Sequence, residues 1–443
     1  VDIDPTAQKV GHDTRRDNKH GPEKSGLGKL GLELDLAAVM TSSAMTGILG
    51  FLFWTVAARG FTVSDVGRAS AIISAATMSA TLATVNLGSV YERFLPLAGR
   101  STHRSIRAGL LTTTALAVLL GIGLVVVGPR ERLFGSWTAL AWFPLCVVTL
   151  SLFALLDPIL IGLRRARHIA VKNISQSVAK LVAVAVFALA LANWGILVAV
   201  WVVPAAAVTA VIWFRVVRPV VDHAGGPPRL PPRRELWHYF IGTYAMTVVG
   251  VLVPLTVPLV VVGTLGTEAN AFFNMCWLLV STIAILIGST AAPYIAAVAA
   301  ESDRSADATT RFMRVCFAAG VGGSAFLLTF GPLILRAFGS EYAAAAGGLV
   351  RLMALTLPFV ALMTVYSALA RVHRKLRLAT AVQWTTAVGI VGGISLATPW
   401  WGLQAIGIVY LSVEVAAACV IAVPLTGFLR SIYRPATSNR GSM

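Results

Sequence analysis

Long apolar runs alternate with short charged clusters from residue 36 to about residue 430. The stretch 51–96 sets the pattern. An apolar helix leads into the polar turn Arg59-Gly60-Phe61-Thr62-Val63-Ser64-Asp65-Val66-Gly67, and a second apolar helix ends in Tyr91-Glu92-Arg93-Phe94-Leu95-Pro96. No charge stands between Asp35 and Arg59. A helix gains about 1.5 Å per residue, so a run of that length crosses a hydrocarbon core of roughly 30 Å. Twelve such segments are predicted, near 36–58, 68–92, 106–128, 138–163, 169–192, 195–214, 239–263, 269–292, 312–335, 346–370, 378–398 and 402–428. The fold class is an all-α polytopic membrane protein.

Composition agrees. Hydrophobic residues make up 57% of the chain and charged residues only 12%, where a soluble domain carries about a quarter. A net charge of +17 raises nucleic acid as a partner, and its distribution decides against that. Of the 36 Lys and Arg residues, 29 fall in the tails and alternate loops on one side, six fall on the other, and Lys180 stands alone in mid-span. Positive loops stay in the cytoplasm. Both termini are therefore expected inside a plasma (inner) membrane, with anionic inner-leaflet lipid as the natural partner of the basic loops. Cys146, Cys276, Cys316 and Cys419 all lie in apolar runs without metal-ligand spacing, and read as core residues. The GxGxxG at 26–31 lacks the strand and βαβ unit that a dinucleotide site needs, so no cofactor is expected.

The division that follows is a polar, disordered cytoplasmic tail at 1–35, a six-helix lobe at 36–217, a linker at 218–237, a second six-helix lobe at 238–430, and a cytoplasmic tail at 431–443. The linker carries Gly225-Gly226-Pro227-Pro228 and Pro231-Pro232, a stiff composition. The lobes repeat one another. Gly128-Pro129 returns as Gly331-Pro332, Arg132-Leu133-Phe134-Gly135-Ser136 as Arg336-Ala337-Phe338-Gly339-Ser340, Arg164 as Arg371, and Trp194-Gly195 as Trp401-Gly402, at offsets of 203 to 207. Six spans per copy is even, so both copies face the same way. Parallel repeats of this kind are typical of transporters.

Ionisable residues inside spans cost about 2.5–3.5 kcal/mol each to insert and call for a reason. Lys172, Gln176 and Lys180 stand at i, i+4 and i+8 with Asn173 and Ser177 beside them, so one face of the fifth segment is polar in its cytoplasmic half. A cation there suits a phosphate or pyrophosphate; the alternative is that Lys180 pairs with Asp157 of the antiparallel fourth segment. Glu414 is mid-span in the last segment, a candidate for ion coupling or a neutral packed acid. Asn86, Asn274, Gln383 and Gln404 are either cavity-lining or helix–helix hydrogen bonders. Arg59 and Arg351 read as snorkelling side chains. Pro158, Pro254, Pro258 and Pro358 are candidate bend points.

Three motifs carry a resemblance. They are Ala58-Arg59 with the short turn ending at Gly67, Asn86-Leu87-Gly88 followed by Arg93-Phe94-Leu95-Pro96, and Leu333-Ile334-Leu335-Arg336-Ala337-Phe338-Gly339-Ser340-Glu341-Tyr342 before an Ala/Gly-rich helix. Together with the twelve-segment plan, the chain from 36 to about 430 resembles the polysaccharide (O-antigen and lipid-linked oligosaccharide) flippases of the multidrug/oligosaccharidyl-lipid/polysaccharide (MOP) exporter superfamily. The resemblance implies two bundles around a central polar cavity. It also implies movement of a polyprenyl-linked glycan to the outer leaflet by alternating access, with Arg93 at the phosphate. Glycosyltransferases or a polysaccharide polymerase are the implied partners. Glu92, an acid directly before Arg93, departs from the pattern.

Three other readings compete. A multidrug exporter of the same superfamily commonly has an acid in its first helix, and here none occurs between Asp35 and Arg59. A membrane glycosyltransferase or ligase needs acids or histidines on a sizeable external loop, and the outer turns offer only Asp65, Glu131, Glu268 and Glu341. A non-enzyme is therefore expected. The last reading is a transport-dead envelope scaffold, against which Lys180, Asp157 and Glu414 argue.

Overall fold

A computed structural model describes residues 45–128, 130–188, 193–223, 225–227, 233–300, 305–373 and 375–433. The tails, the GxGxxG and the start of the first apolar segment lie outside them. The helices in the first half are α1 (Met45–Gly60), α2 (Val63–Ala83), α3 (Leu87–Phe94), α4 (Thr102–Val127), α5 (Arg130–Leu133), α6 (Ala139–Gly162), α7 (Arg167–Phe187), α8 (Trp194–Ile212) and α9 (Arg218–Asp222). The second half has α10 (Arg233–Leu265), α11 (Thr267–Ser289), α12 (Ala291–Ala300), α13 (Ser305–Phe338), α14 (Ser340–Ala354), α15 (Leu357–Val372), α16 (Leu376–Trp401) and α17 (Gln404–Tyr433). Among the described residues nine spans are long and apolar enough to cross a membrane, a tenth is the bent pair α2–α3, and Met45–Gly60 and Leu252–Leu265 are shorter apolar helices. These twelve follow the predicted segments in order. The chain is an all-helical, multi-pass membrane protein.

Burial shows which helices meet lipid. On α4 the buried residues are Thr102, Ile106, Gly109, Thr113, Ala117, Gly121 and Val125, a stripe at spacings of three and four that turns one small-residue face inward. Leu111 and Leu119 on its other side are more than 60% exposed. On α2, burial runs almost all the way round, through Gly67, Ala69, Ser70, Ile72, Ala76 and Ala80 among others. It is the central helix, packed on α6 and α8 in its own half and on α10 and α11 in the other.

The structure changes the predicted plan in two places. The second segment is not one straight helix: α2 and α3 meet at 49°, with Val85 and Asn86 at φ 45° and 52°. Asn tolerates the left-handed region, while for β-branched Val it is strained. The linker is also shorter than 218–237. After α8 the backbone widens into a π turn, Trp213–Val217, and continues as α9. Pro219 has no N–H to give back four residues, and a wider turn accommodates that loss without ending the helix. At the other end α10 already begins at Arg233.

One end of the molecule, the turn end, carries the α1–α2, α10–α11 and α13–α14 turns; the opposite, linker end carries residues 95–101, 223 and 225–227. At the linker end the backbone N–H of Arg100 donates to Gly226 O at 3.1 Å, which pins the linker to the first half.

Candidate functional site

The two halves are joined at the turn end by polar contacts that lie between helix N-termini. Thr62 caps α2: its hydroxyl accepts from Asp65 N at 3.1 Å and donates to Asp65 Oδ2 at 2.7 Å. The other carboxylate oxygen accepts from Trp194 N at 3.1 Å, so α2 and α8 start from one carboxylate. Across the halves, Ser64 Oγ and Thr267 Oγ1 are 2.9 Å apart. Asn270, fully buried, donates through Nδ2 to Gly67 O and Ser70 Oγ, each at 2.8 Å. Gly67 is required: a Cβ there would overlap the backbone oxygen of Thr267. Arg59, read from sequence as snorkelling, instead donates Nε to Ala337 O at 2.7 Å, and Arg132 donates to Gly263 O. Both arginines cap helix C-terminal carbonyls of the opposite half.

The polar face of α7 divides into two sites. Lys172 is wholly buried. Its Nζ lies 2.7 Å from Asp157 Oδ1, donates to Phe153 O at 2.7 Å and stands 3.6 Å from the centre of the Phe153 ring. The Asn173 side chain reaches the same carboxylate. The partner of Asp157 is therefore Lys172 and not Lys180. The reason is register: α6 and α7 are antiparallel about a turn at 163–166, and residues 157 and 172 are equally far from its centre. Lys180, further along α7 than Gln176, sits with Nζ 3.8 Å from the Trp201 ring centre and 5.7 Å from Phe53. Phe53, Trp54 and Trp201 pack with centroids 5.2–5.9 Å apart. No carboxylate is within ion-pair distance of Lys180 among the described residues. Gln176 donates to Trp201 O at 3.5 Å. In this conformation the face is packed between α6, α8 and α1.

Asn86 lies at the α2–α3 bend, accepting from Ser89 Oγ at 3.2 Å, with its Nδ2 buried and without a hydrogen-bond partner among the described residues. Arg93 is exposed near the linker end, its guanidinium 5.2 Å from the Phe94 ring centre.

Glu414 stands apart from these. It lines a cavity of about 720 Å³ in the second half, among α10, α11, α15, α16 and α17. Arg371, Gln383, Tyr410, Thr356 and Ser281 share the wall. A smaller space of about 240 Å³ shares Arg371, Gln383 and Glu414 and reaches Ser367 and Thr364. The Tyr410 hydroxyl is buried without a hydrogen-bond partner among the described residues. Sequence reasoning singled out Glu414 and Gln383 because polar residues are conspicuous in apolar runs. It missed Tyr410, which reads as one more aromatic, and took Arg371 for a loop charge. Among the described residues no group of three or more His, Cys, Asp or Glu side chains could hold a metal ion.

The described helices form two bundles that pack together along α2. No family model and no curated protein matches the sequence. Solved structures do match in fold. The lipid II flippase MurJ in an inward closed conformation aligns with TM-score 0.67 at 11% identity, over 90% of this chain and 89% of that one. The MATE multidrug transporter DinF-BH, solved as a complex, aligns at 0.61 and 15%, over 95% and 99%. An inward-facing multidrug resistance MATE family transporter of the MOP superfamily aligns at 0.58 and 14%, over 88% and 96%.

Proposed function

We propose that the protein is a transporter, not an enzyme, and that it flips a polyprenyl-phosphate-linked or pyrophosphate-linked oligosaccharide from the inner to the outer leaflet for cell-surface polysaccharide synthesis. The observation that carries the reading is the cavity among α10, α11, α15, α16 and α17, with Arg371, Gln383 and Tyr410 on its wall. Each sugar hydroxyl stripped of water without a replacement bond costs several kcal/mol, so a glycan needs a polar, roomy passage. A guanidinium is suited to the phosphate oxygens of the carrier. Arg371 is in the last turn of α15, at the linker end, which the charge distribution assigns to the cytoplasm. A head group loaded from the inner leaflet would meet it first. In this reading Lys180, Gln176, Lys172, Asn173, Arg93 and Asn86 line the path in the other half of the cycle, and glycosyltransferases or a polymerase act before and after.

The test uses proteoliposomes carrying a fluorescent polyprenyl-diphosphate oligosaccharide. The fraction of label reached by an external quencher should rise with the protein present and fall back towards the protein-free rate for Arg371→Gln. Equal rates with and without protein would refute the proposal.

One observation favours a second reading, a cation-coupled multidrug exporter. Glu414 lies in the cavity with no ion-pair partner among the described residues. Efflux of a lipophilic cation that depends on Glu414, with no effect on the glycan lipid, would establish it.

A further inference from the structure

A separate pocket lies at the linker end of the first half, where α4 meets the π turn and α9. It encloses about 360 Å³ and is lined by His103, Arg107, Leu110, Trp213, Phe214 and Arg218 among others. We infer that this pocket binds the phosphodiester head group of an anionic membrane phospholipid, with the acyl chains lying along the outer faces of α4 and α8.

Its lining divides by height. His103 and Arg107 are one helical turn apart on α4, and Arg218 faces them from the start of α9. Asp222 is the acid in the pocket, 3.7 Å from Arg218 Nε, and both side chains are more than half exposed. Such a pair is loose and screened. Arg107 has no ion-pair or hydrogen-bond partner among the described residues, so its guanidinium is free for a phosphate. The floor is apolar, made by the buried Ile106 and Val221. Away from the linker end the charges stop. Leu111 is 62% exposed on α4 and Val211 59% on α8, and further apolar side chains follow along both helices. Phe214, also 59% exposed, and Trp213 stand at the level where cations give way to aliphatics. Aromatic side chains prefer that boundary in a membrane, and basic pockets between spans on the cytoplasmic side suit anionic head groups.

The π turn gives the pocket its shape. It presents Trp213 and Phe214 one after the other while carrying Arg218 on towards Arg107. π-bulges inside helices recur at functional sites. A soluble phosphate would gain the guanidinium groups and nothing from Phe214, Leu111 or Val211; a phospholipid engages both levels. The inference needs the chain to span a membrane with its linker end inside. It does not depend on what the chain transports.

Binding of dioleoyl phosphatidylglycerol to the detergent-purified full chain, followed by native mass spectrometry, tests it. Phosphatidylglycerol should remain bound at collision energies that strip phosphatidylcholine. Arg107→Gln with Arg218→Gln should reduce the lipid-bound fraction about tenfold, whereas Arg104→Gln, on α4 but outside the pocket, should leave it unchanged. Phe214→Ala should weaken the lipid without altering the fold, as read from the elution volume and thermal unfolding. Equal loss with Arg104→Gln, or retention in the double variant, would overturn the site. Displacement of the lipid by millimolar glycerol phosphate would also overturn the lipid reading, since it would make this a soluble-anion site.

Discussion

Ser64 Oγ lies 2.9 Å from Thr267 Oγ1, and the two residues are 203 positions apart, the spacing that separates Gly128-Pro129 from Gly331-Pro332. A residue that touches its own counterpart lies on the two-fold axis relating the copies. Gly67 and Asn270 are 203 apart as well, and the asparagine donates to the glycine's carbonyl. The pseudo-two-fold axis of the repeat therefore passes through the seam between α2 and α11. There the sequences diverge by necessity: a second large side chain at position 67 has no room.

Cysteines in place of these two hydroxyl residues should form a disulfide. Oxygens 2.9 Å apart place the Cβ atoms within reach of an S–S bond. Ser64→Cys with Thr267→Cys is expected to crosslink under mild oxidant, shown by a gel-mobility shift that a reductant reverses, and to block transport in the oxidised form only. Absence of a crosslink would mean that the halves are not joined here in the membrane.

Gly67→Ala should separate the same seam. The added methyl would overlap Thr267 O and meet Ala271 N at 3.0 Å, both backbone atoms that cannot rotate aside. Overpacking of this kind costs about 1–3 kcal/mol or more, so a clear fall in thermal stability in detergent is expected. Asn270→Leu should destabilise by about 1–3 kcal/mol for a different reason, since it removes both buried amide donations across the seam, to Gly67 O and to Ser70 Oγ. Thermal unfolding of each variant beside wild type checks both.

The buried pair on α6 and α7 makes a third prediction. Removing one partner strands the other: Asp157→Asn or Lys172→Met should each cost about 3 kcal/mol, the low end for a buried pair because Asp157 is a third exposed. Asp157→Leu with Lys172→Met should recover most of it. A double variant no better than the singles, by thermal unfolding, would show that the ammonium's bond to Phe153 O and its ring contact dominate.

The spans were legible in the sequence because lipid demands runs of apolar residues whatever they pack against. The α2–α3 bend was not, because it rests on two backbone angles at Val85 and Asn86 rather than on a proline or glycine. Charge partners were legible in kind but not in identity. Asp157 was weighed as a partner for Lys180, whereas simple counting outward from the 163–166 turn selects Lys172. Ser64 and Thr267 passed unnoticed because hydroxyls are common on membrane helices. Applying the repeat offset to them would have placed the axis. Tyr410 and Arg371 escaped because only the cavity distinguishes a buried phenol from its aromatic neighbours, or a loop arginine from one that faces inward.

Lys180 carries the last prediction, and it separates a structural role from a transport role. Its ammonium is 3.8 Å from the Trp201 ring centre, in an aromatic box with Phe53, an arrangement worth about 2 kcal/mol when desolvated. Lys180→Met keeps the volume and removes the charge. If the lysine serves only the packing, the variant should lose roughly that much stability and move the glycan lipid at the wild-type rate. If the cation also meets the carrier phosphate, Lys180→Met and Lys180→Ala should insert in the membrane normally yet fail in export, and Lys180→Arg should retain part of it. Trp201→Leu divides the two further, because it abolishes the box while leaving the charge in place. We expect the transport loss in both lysine variants, and wild-type export by Lys180→Ala would remove Lys180 from the substrate path.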